Sequence, residues 1–245
     1  MFALEVLQEA VQHALAEYPK ECCGLILDGG TVYQPMRNIH ENPKNNFRIY
    51  TPDFLAYLNA GRVSALMHSH TANNPFPSRQ DMVLQENMAL PWGITHISAD
   101  RDIDGPFFFG DQVPVAPLVG RKFRPGVADC YTLLRDIYRQ EEDVTLPVFP
   151  REGEWWNSKQ NMLEENFAKA GFVEIDRTQL QKNDVLLCRV NSPKDNPVIN
   201  HIAIVRERGQ ILHHLNKRLS RPEPIQPWHA TAIKYLRYRP KKGGE

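Results

Sequence analysis

The sequence predicts two domains: an α/β sandwich around a mixed sheet, followed by an α+β domain with an antiparallel sheet. Helical and strand-like patterns alternate through the first half, whereas two helices precede a series of short strands in the second. Between the halves, residues 111–126 contain three prolines and two glycines and no regular period, which is typical of an extended linker. We therefore expect domains at residues 1–115 and 116–245, with the boundary near residue 117.

The first domain begins with a helix over about 3–18, because Leu4, Leu7, Val11 and Leu15 recur at helical spacing. The elements after it follow from apolar runs separated by glycine and proline turns. In chain order they are strands at 22–28 and 31–37 joined by a turn at 28–30, a helix at 52–60, a strand at 63–68, a helix at 78–90 and a strand at 92–99.

The second domain opens with a helix over 129–141, where Leu133, Leu134, Ile137 and Tyr138 form one apolar stripe. A second helix is expected at 157–170, and short strands follow at 184–190, 200–205 and 210–215.

Charge is distributed unequally along a chain of 245 residues whose net charge is zero. Residues 1–115 carry 7 basic and 13 acidic side chains, a net of −6, and residues 116–245 carry 22 and 16, a net of +6. The basic half favours an anionic partner such as cell-wall polymer or nucleic acid, or the acidic first half; solvated surface charge is an equal alternative.

Two features bear on location. No apolar run approaches the roughly 18 residues of a membrane-spanning helix. The first residues include acids and no basic segment, so we expect no secretory signal and folding in a cytoplasm.

The four cysteines do not form a disulfide or thiolate-metal pattern, because no two of them are spaced as CxxC. Cys22, Cys23 and Cys188 are interpreted as small buried apolar residues. Cys130 stands apart from the others.

A metal site is predicted from His68, His70 and Asp81. Alternate residues of a strand point to the same side, so the two imidazoles can reach one point, and Asp81 supplies a third ligand. Ser78 and Asp81 are also spaced as a helix N-cap and an acid in the first turn, which is the structural alternative; capping and ligation are compatible.

These residues resemble the JAMM (Mov34/MPN) metalloprotease family over about residues 1–112. The match consists of Tyr18-Pro-Lys-Glu-Cys-Cys-Gly24, then His68-x-His70, seven further residues, and Ser78-x-x-Asp81. The resemblance implies a JAMM-type sandwich in which His68, His70 and Asp81 bind Zn²⁺, Glu21 is the general acid/base and Ser78 stabilises the oxyanion. The family cleaves peptide or isopeptide bonds, and some of its members are inactive scaffolds.

A thiol site is predicted around Cys130, in the first turn of the helix that begins after Asp129. The helix field favours a thiolate and lowers the thiol pKa there, although a structural cysteine is the alternative. A hairpin between the strands at 200–205 and 210–215 would place His201 directly opposite His213 on one face. One of them can act as the base and the other can orient it, while His214 would point to the opposite face.

The second half resembles the NlpC-type cell-wall peptidases, a papain-like group, over about residues 118–238. The matching elements are Asp129-Cys130 opening a helix, Lys182-Asn-Asp-Val-Leu-Leu187, His201-x-Ala-Ile, and His213 twelve residues later. The resemblance implies Cys130 as nucleophile, His201 as base, His213 as orienter and cleavage after D-glutamate in peptidoglycan stem peptides. Tyr131 and Thr132 follow the cysteine where the family commonly has small residues, so the groove can differ. Trp155 and Trp156 either line it or serve packing.

The combination of the two domains resembles the tail-tip assembly proteins of lambda-like tailed phages. That resemblance implies bacterial peptidoglycan and other phage tail-tip proteins as partners, with no nucleic acid and no membrane segment. It implies the host cytoplasm during assembly, and a tail tip that acts in the host periplasm. Two alternatives stay open: a structural assembly factor with vestigial sites, and a cellular JAMM isopeptidase.

Overall fold

The computed structural model describes residues 2–71, 74–157, 160–193 and 195–239. The chain divides into two compact units, Met1–Pro114 and Val115–Glu245. No helix in the described ranges is long and apolar enough to cross a membrane.

The first unit is built on a five-stranded mixed sheet with the strand order β2-β1-β3-β4-β5, in which only β3 and β4 are parallel. Its elements are α1 (Leu4–Glu17), β1 (Cys23–Leu27), β2 (Val32–Met36), α2 (Pro52–Asn59), β3 (Val63–Thr71), α3 (Arg79–Met88), β4 (Trp92–Ile97) and β5 (Ile103–Phe109).

The sheet of this unit is held by apolar contacts between α1 and the central strands. Val6 and Ala10 of α1 pack with Ile26, Ala65 and Met67, and all five side chains are buried. β1 and β3 are inner strands covered by α1. The end of β3 that carries the two histidines is therefore held between its neighbouring strands β1 and β4.

The second unit contains a six-stranded antiparallel sheet with the order β10-β9-β8-β7-β11-β6. Its elements are α4 (Cys130–Glu141), α5 (Met162–Asn166), β6 (Phe172–Glu174), β7 (Val185–Cys188), β8 (His201–Arg206), β9 (Gln210–His213), β10 (Arg221–Pro224) and β11 (Ala232–Tyr238). Short 3₁₀ turns lie at Trp155–Asn157, Arg177–Gln179 and Gln226–Ala230.

Two apolar clusters of this unit divide the side chains of β8 between them. Ile202 and Ile204 pack with Leu133 and Ile137 of α4. Ala203 and Val205 belong instead to a cluster with Trp228, as expected for alternate residues of a strand.

The predicted fold classes are confirmed: the first unit has a mixed sheet with helices, and the second has helices followed by an antiparallel sheet. The helix predicted at 157–170 is wrong in extent, because α5 covers only Met162–Asn166 within the described residues. The four cysteines are free and buried, as expected for Cys22, Cys23 and Cys188. Four strands were not predicted: β5, β6, β10 and β11.

Candidate active sites

In the first unit, the end of β3 and the start of α3 bring three potential metal ligands together. One ligand atom from each of His68, His70 and Asp81 lies within 4.8 Å of the others, and all three residues are buried. The Nε2 atoms of the two histidines are 3.0 Å apart. Asp81 Oδ1 lies 3.7 Å from His68 Nε2, and Asp81 Oδ2 lies 3.3 Å from His70 Nε2. Two imidazoles and a carboxylate are a ligand set that suits a divalent transition metal.

Local contacts orient the two imidazoles. His70 Nδ1 lies 3.0 Å from the backbone carbonyl oxygen of Asn74, which can only accept a hydrogen bond. In the neutral imidazole, Nδ1 therefore carries the hydrogen and Nε2 keeps its lone pair. The ring of His68 stacks on Phe47 at a centroid distance of 4.5 Å. The residues therefore fit a metal ion, because both Nε2 atoms and the Asp81 carboxylate converge within 4.8 Å of one another and His70 Nε2 keeps a lone pair for ligation.

Asp81 is fixed by a capping box at the start of α3. The Ser78 hydroxyl and backbone N–H each donate to Asp81 Oδ2 at 2.7 Å, and the Asp81 N–H donates to Ser78 Oγ at 3.1 Å. Burial alone would raise the pKa of Asp81, but the neighbouring histidines hold it well below its usual range. The structure places Ser78 as the residue that orients Asp81, so the capping alternative and the ligand prediction coexist.

Glu21 lies just before β1 and is buried beside the same cluster. Its burial raises its pKa to about 7, with His70 lowering it and Asp81 raising it. Of the five residues predicted for this site, Glu21, His68, His70 and Asp81 interact electrostatically, and Ser78 joins them through Asp81.

In the second unit, a cavity of about 210 Å³ opens at the N-terminus of α4. Cys130 and His201 both line it, although His201 points to the Trp228 side of the sheet while the helix covers the other side. Each of the two stands at the first position of its element, Cys130 in α4 and His201 in β8, and both of these positions border the cavity. His213 contacts His201 but does not line the cavity.

Asp129 caps α4 and is itself held by a buried arginine. Its carboxylate accepts from the Thr132 and Gly126 N–H groups, both at 2.9 Å. Arg151 donates to the two carboxylate oxygens at 2.7 Å each. Burial opposes ionisation, but Arg151 prevails and lowers the pKa of Asp129 to about 2.

The expected lowering of the Cys130 pKa is wrong. Burial, followed by the adjacent Asp129 charge, raises the thiol pKa to about 12, and the N–H groups of Ile202 and Tyr131 and the charge of Arg151 offset this only partly. Burial also lowers the pKa of His201 well below its ordinary value. The helix field is outweighed here because the sulfur is almost wholly enclosed, so the resting pair is a neutral thiol and a neutral imidazole.

The predicted direct pairing of His201 with His213 is also wrong. His213 pairs with Ala203, and a three-residue loop at 207–209 closes the hairpin. The shift is two residues, so both imidazoles stay on the same face as diagonal neighbours. Their Nε2 and Nδ1 atoms are 3.2 Å apart.

Beyond His213 lies Glu223 of β10, which sequence reasoning missed. Its Oε1 is 3.5 Å from His213 Nε2, and its Oε2 accepts from Trp228 Nε1 at 3.0 Å. The Trp228 ring covers both histidines, at centroid distances of 4.3 Å from His213 and 5.4 Å from His201.

His214, to which the sequence analysis assigned no role in the site, lines the cavity with Cys130. As predicted, His214 points to the opposite face of the sheet from His213. The face to which His214 points is the one covered by α4. The ring is fully buried against Phe123 and forms no hydrogen bond of standard geometry within the described residues. Burial lowers its pKa to about 4. The doubled histidine at 213–214 was the available signal.

Both tryptophans of Trp155–Asn157 line the same cavity, which favours the groove interpretation over packing alone. Their rings meet edge to face at 5.6 Å. The cavity lining is also rich in side-chain amides, which come from Asn157, Asn191, Asn196, Asn200 and Asn216.

Comparison with known proteins gives matches to both units. Residues 3–105 match the family of prokaryotic homologs of the JAB domain, and residues 107–237 match the NlpC/P60 family. The tail tip assembly protein K of Escherichia phage N15 is 29% identical over 246 aligned residues, 98% of this chain and 97% of that protein. The protein of the same name from Escherichia phage lambda is 36% identical over 188 residues, 76% of this chain and 87% of that protein. A solved NlpC/P60 family protein from Bacillus cereus is 12% identical, with a TM-score of 0.34 over 95% of this chain and 67% of that one.

Proposed function

We propose that this chain, which belongs to the NlpC/P60 family, is a phage tail-tip assembly protein. Its second domain, residues 116–245, is proposed to be a cysteine endopeptidase acting on peptidoglycan. One observation carries the catalytic part: Cys130 and His201 line a single cavity, and His201 contacts His213. The tail-tip part is supported by the two phage relatives, which are aligned over most of this chain.

In the proposed reaction, the Cys130 sulfur attacks the peptide carbonyl while His201 accepts the thiol proton. A neutral pair requires this transfer to accompany attack, as in general-base catalysis. The oxygen that becomes negative would lie near the N-terminus of α4, where the helix dipole stabilises negative charge. The imidazolium then protonates the leaving amine, and water hydrolyses the thioester with His201 again as base.

The substrate is proposed to be the peptidoglycan stem peptide, cut after D-glutamate. The site would act in the host periplasm, with the protein carried at the tail tip alongside other tail-tip proteins after assembly in the host cytoplasm. The net charge of +6 over residues 116–245 favours an anionic wall polymer.

A second activity is proposed for residues 1–115, as a zinc-dependent peptidase of the JAMM type. The convergence of His68, His70 and Asp81 supports a metal site, and these residues would hold the ion. Bound zinc would polarise a carbonyl and activate water. Glu21, with a pKa near 7, is suited to accept and return a proton, and Ser78 keeps Asp81 in place.

The test is digestion of purified diaminopimelate-type peptidoglycan by the reduced wild-type protein and by Cys130→Ala, Cys188→Ala and Glu21→Ala, with products identified by mass. Cys188 is the matched control, because it is a buried cysteine of the same unit that does not line the cavity. We expect cleavage after D-glutamate that is lost in Cys130→Ala and retained in the other two variants.

The alternatives predict different results. A structural assembly factor with vestigial sites predicts no cleavage by folded wild-type protein, and normal tails and infection with Cys130→Ala. A cellular isopeptidase predicts that an isopeptide-linked substrate is cleaved in the presence of zinc and that Glu21→Ala blocks this cleavage.

A further inference from the structure

We infer that Glu223 is a positioning residue that decides which nitrogens of His213 and His201 carry protons, leaving His201 Nδ1 as the base for Cys130. The last step rests on the proposed peptidase function. The first steps concern proton positions alone and can be measured without a substrate.

The contacts place an acceptor at the outer nitrogen of His213. His213 Nε2 is buried and makes no hydrogen bond of standard geometry within the described ranges, and Glu223 Oε1 lies 3.5 Å from it. The carboxylate is held in place, because its Oε2 accepts from Trp228 Nε1 and its Oε1 accepts from Arg221 Nε at 2.7 Å. An ionised carboxylate has acceptor capacity only, so the proton of a neutral His213 belongs on Nε2.

The remaining proton positions follow from valence. A neutral imidazole carries one hydrogen, so a proton on His213 Nε2 leaves Nδ1 as an acceptor. His201 Nε2 lies 3.2 Å from that atom and must therefore donate to it. His201 then has its lone pair on Nδ1, the nitrogen that does not face His213.

Burial makes this choice of tautomer decisive. His201 and His213 are 3% and 1% exposed, and the Trp228 ring covers both. The titratable and charged groups facing His213 are His201, Glu223, Arg221 and Arg218. Burial lowers the pKa of His213 most; Glu223 raises it, and the two arginines lower it further, so the ring is neutral. With both imidazoles neutral, the position of each proton, rather than its presence, decides whether a base is available. Without the carboxylate acceptor, His213 can move its proton to Nδ1, and His201 Nε2 would then accept while Nδ1 presents an N–H to the thiol.

The test is ring-nitrogen NMR of the full chain labelled with ¹⁵N-histidine, near pH 7.5, with the signals assigned through His201→Gln and His213→Gln. In the wild type we expect protonated Nε2 and unprotonated Nδ1 on both rings. Glu223→Leu removes the acceptor, so both rings should shift their protons to Nδ1. Glu223→Gln keeps a carbonyl acceptor and should preserve the wild-type pattern. Glu207→Leu, which removes an exposed carboxylate from the neighbouring hairpin loop, should also leave it unchanged.

Activity provides the second reading. For a cleaving wild type, Glu223→Leu should lower kcat roughly a hundredfold with little change in KM, because a general base is lost while the substrate contacts remain. Glu223→Gln should recover most of this loss.

The wild-type spectrum alone would overturn the inference if His201 carried its proton on Nδ1, even if Glu223→Leu failed to fold. Unchanged tautomers in a folded Glu223→Leu would overturn it as well. A wild type with the expected tautomers but no turnover would instead count against the peptidase proposal.

Discussion

At the scale of single residues, Cys130 illustrates how enclosure outweighs a helix terminus. Its position in the first turn of α4 favours a thiolate, yet only 7% of the residue is exposed and Asp129 adds a second unfavourable effect. A thiol with a pKa of about 12 is neutral near pH 7, so in the proposed reaction His201 would accept its proton as the sulfur attacks the substrate. Sequence position alone could not reveal this, because burial is a property of the assembled cavity.

A first prediction concerns the buried pair of Asp129 and Arg151. Arg151→Met would leave a carboxylate enclosed without its cation, so unfolding of the second unit should become easier by about 3–5 kcal/mol. Asp129→Asn combined with Arg151→Met should be less destabilised, because no buried charge remains while the amide oxygen can still cap the helix. Urea denaturation followed by tryptophan fluorescence measures both.

The exposed pair of Asp28 and Arg62 supplies the comparison, since Arg62→Met should change stability little. Equal destabilisation by the single and double variants at residues 129 and 151 would mean that an unpaired charge is not the cause.

A second prediction concerns pH and His214. The folded-state pKa of about 4 lies below the unfolded value of 6.5, so the unfolded chain binds the proton more readily. Stability from this residue is therefore complete above pH 6.5 and is lost as pH falls toward 4, by about 2 kcal/mol at pH 5.

The check is the free energy of unfolding at pH 7 and pH 5 for wild type and His214→Gln. The decrease in the variant should be smaller by about 2 kcal/mol, with the remaining slope due in part to His201 and His213, whose pKa values are also lowered. His229→Gln should change the slope less, because its ring is partly exposed. An identical pH dependence in wild type and His214→Gln would show that this ring is not buried in its neutral form.

At the scale of elements, α3 links helix capping to the cluster of potential metal ligands His68, His70 and Asp81. Ser78→Ala removes both the acceptor for the Asp81 N–H and the hydroxyl that donates to its carboxylate. We expect a loss of about 1 kcal/mol in stability of the first unit. Metal affinity, measured by zinc titration calorimetry, should fall roughly 10–100-fold because Asp81 is no longer oriented.

Thr51→Ala is the matched control, since Thr51 caps α2 by accepting from the Phe54 N–H at 3.2 Å. It should reduce stability similarly and leave zinc affinity unchanged. If both variants weakened zinc binding equally, the effect would come from general loosening of the unit rather than from Asp81.

The elements also show what could be predicted from sequence. The helices α1 and α4 carry clear apolar periods, and both were predicted within about two residues. Proline interrupts β5 and occupies two of the four positions of β10, which hides their strand character. Glu223 was missed for this reason, because its role depends on recognising β10 beside β9.

The pairing of His201 and His213 shows why a site can be predicted when its register is not. Side chains alternate with a period of two, so an error of two residues in register keeps both rings on one face. An error of one residue would have separated them. Arg151 gave no such signal, because its contact with Asp129 spans 22 positions and Arg151 lies in irregular chain after α4, where no period indicates its place.

At the scale of the whole molecule, two compact units with separate cores should respond separately to ligands. A metal bound by His68, His70 and Asp81 interacts only with the folded first unit, so it should raise that unit's melting temperature and leave the other transition unchanged. Free zinc at a hundred times its dissociation constant would add about 2.7 kcal/mol.

The measurement is differential scanning calorimetry with added zinc and with a chelator, in a Cys130→Ala background so that the thiol cannot bind the ion. His68→Ala with His70→Ala in the same background should abolish the zinc-dependent shift, because a single carboxylate remains of the three ligands. The identity of each transition comes from variants already described: Thr51→Ala marks the first unit and Arg151→Met marks the second. A shift of the transition marked by Arg151→Met, or a shift that survives loss of both histidines, would place the metal elsewhere and remove the basis for a zinc-dependent first domain.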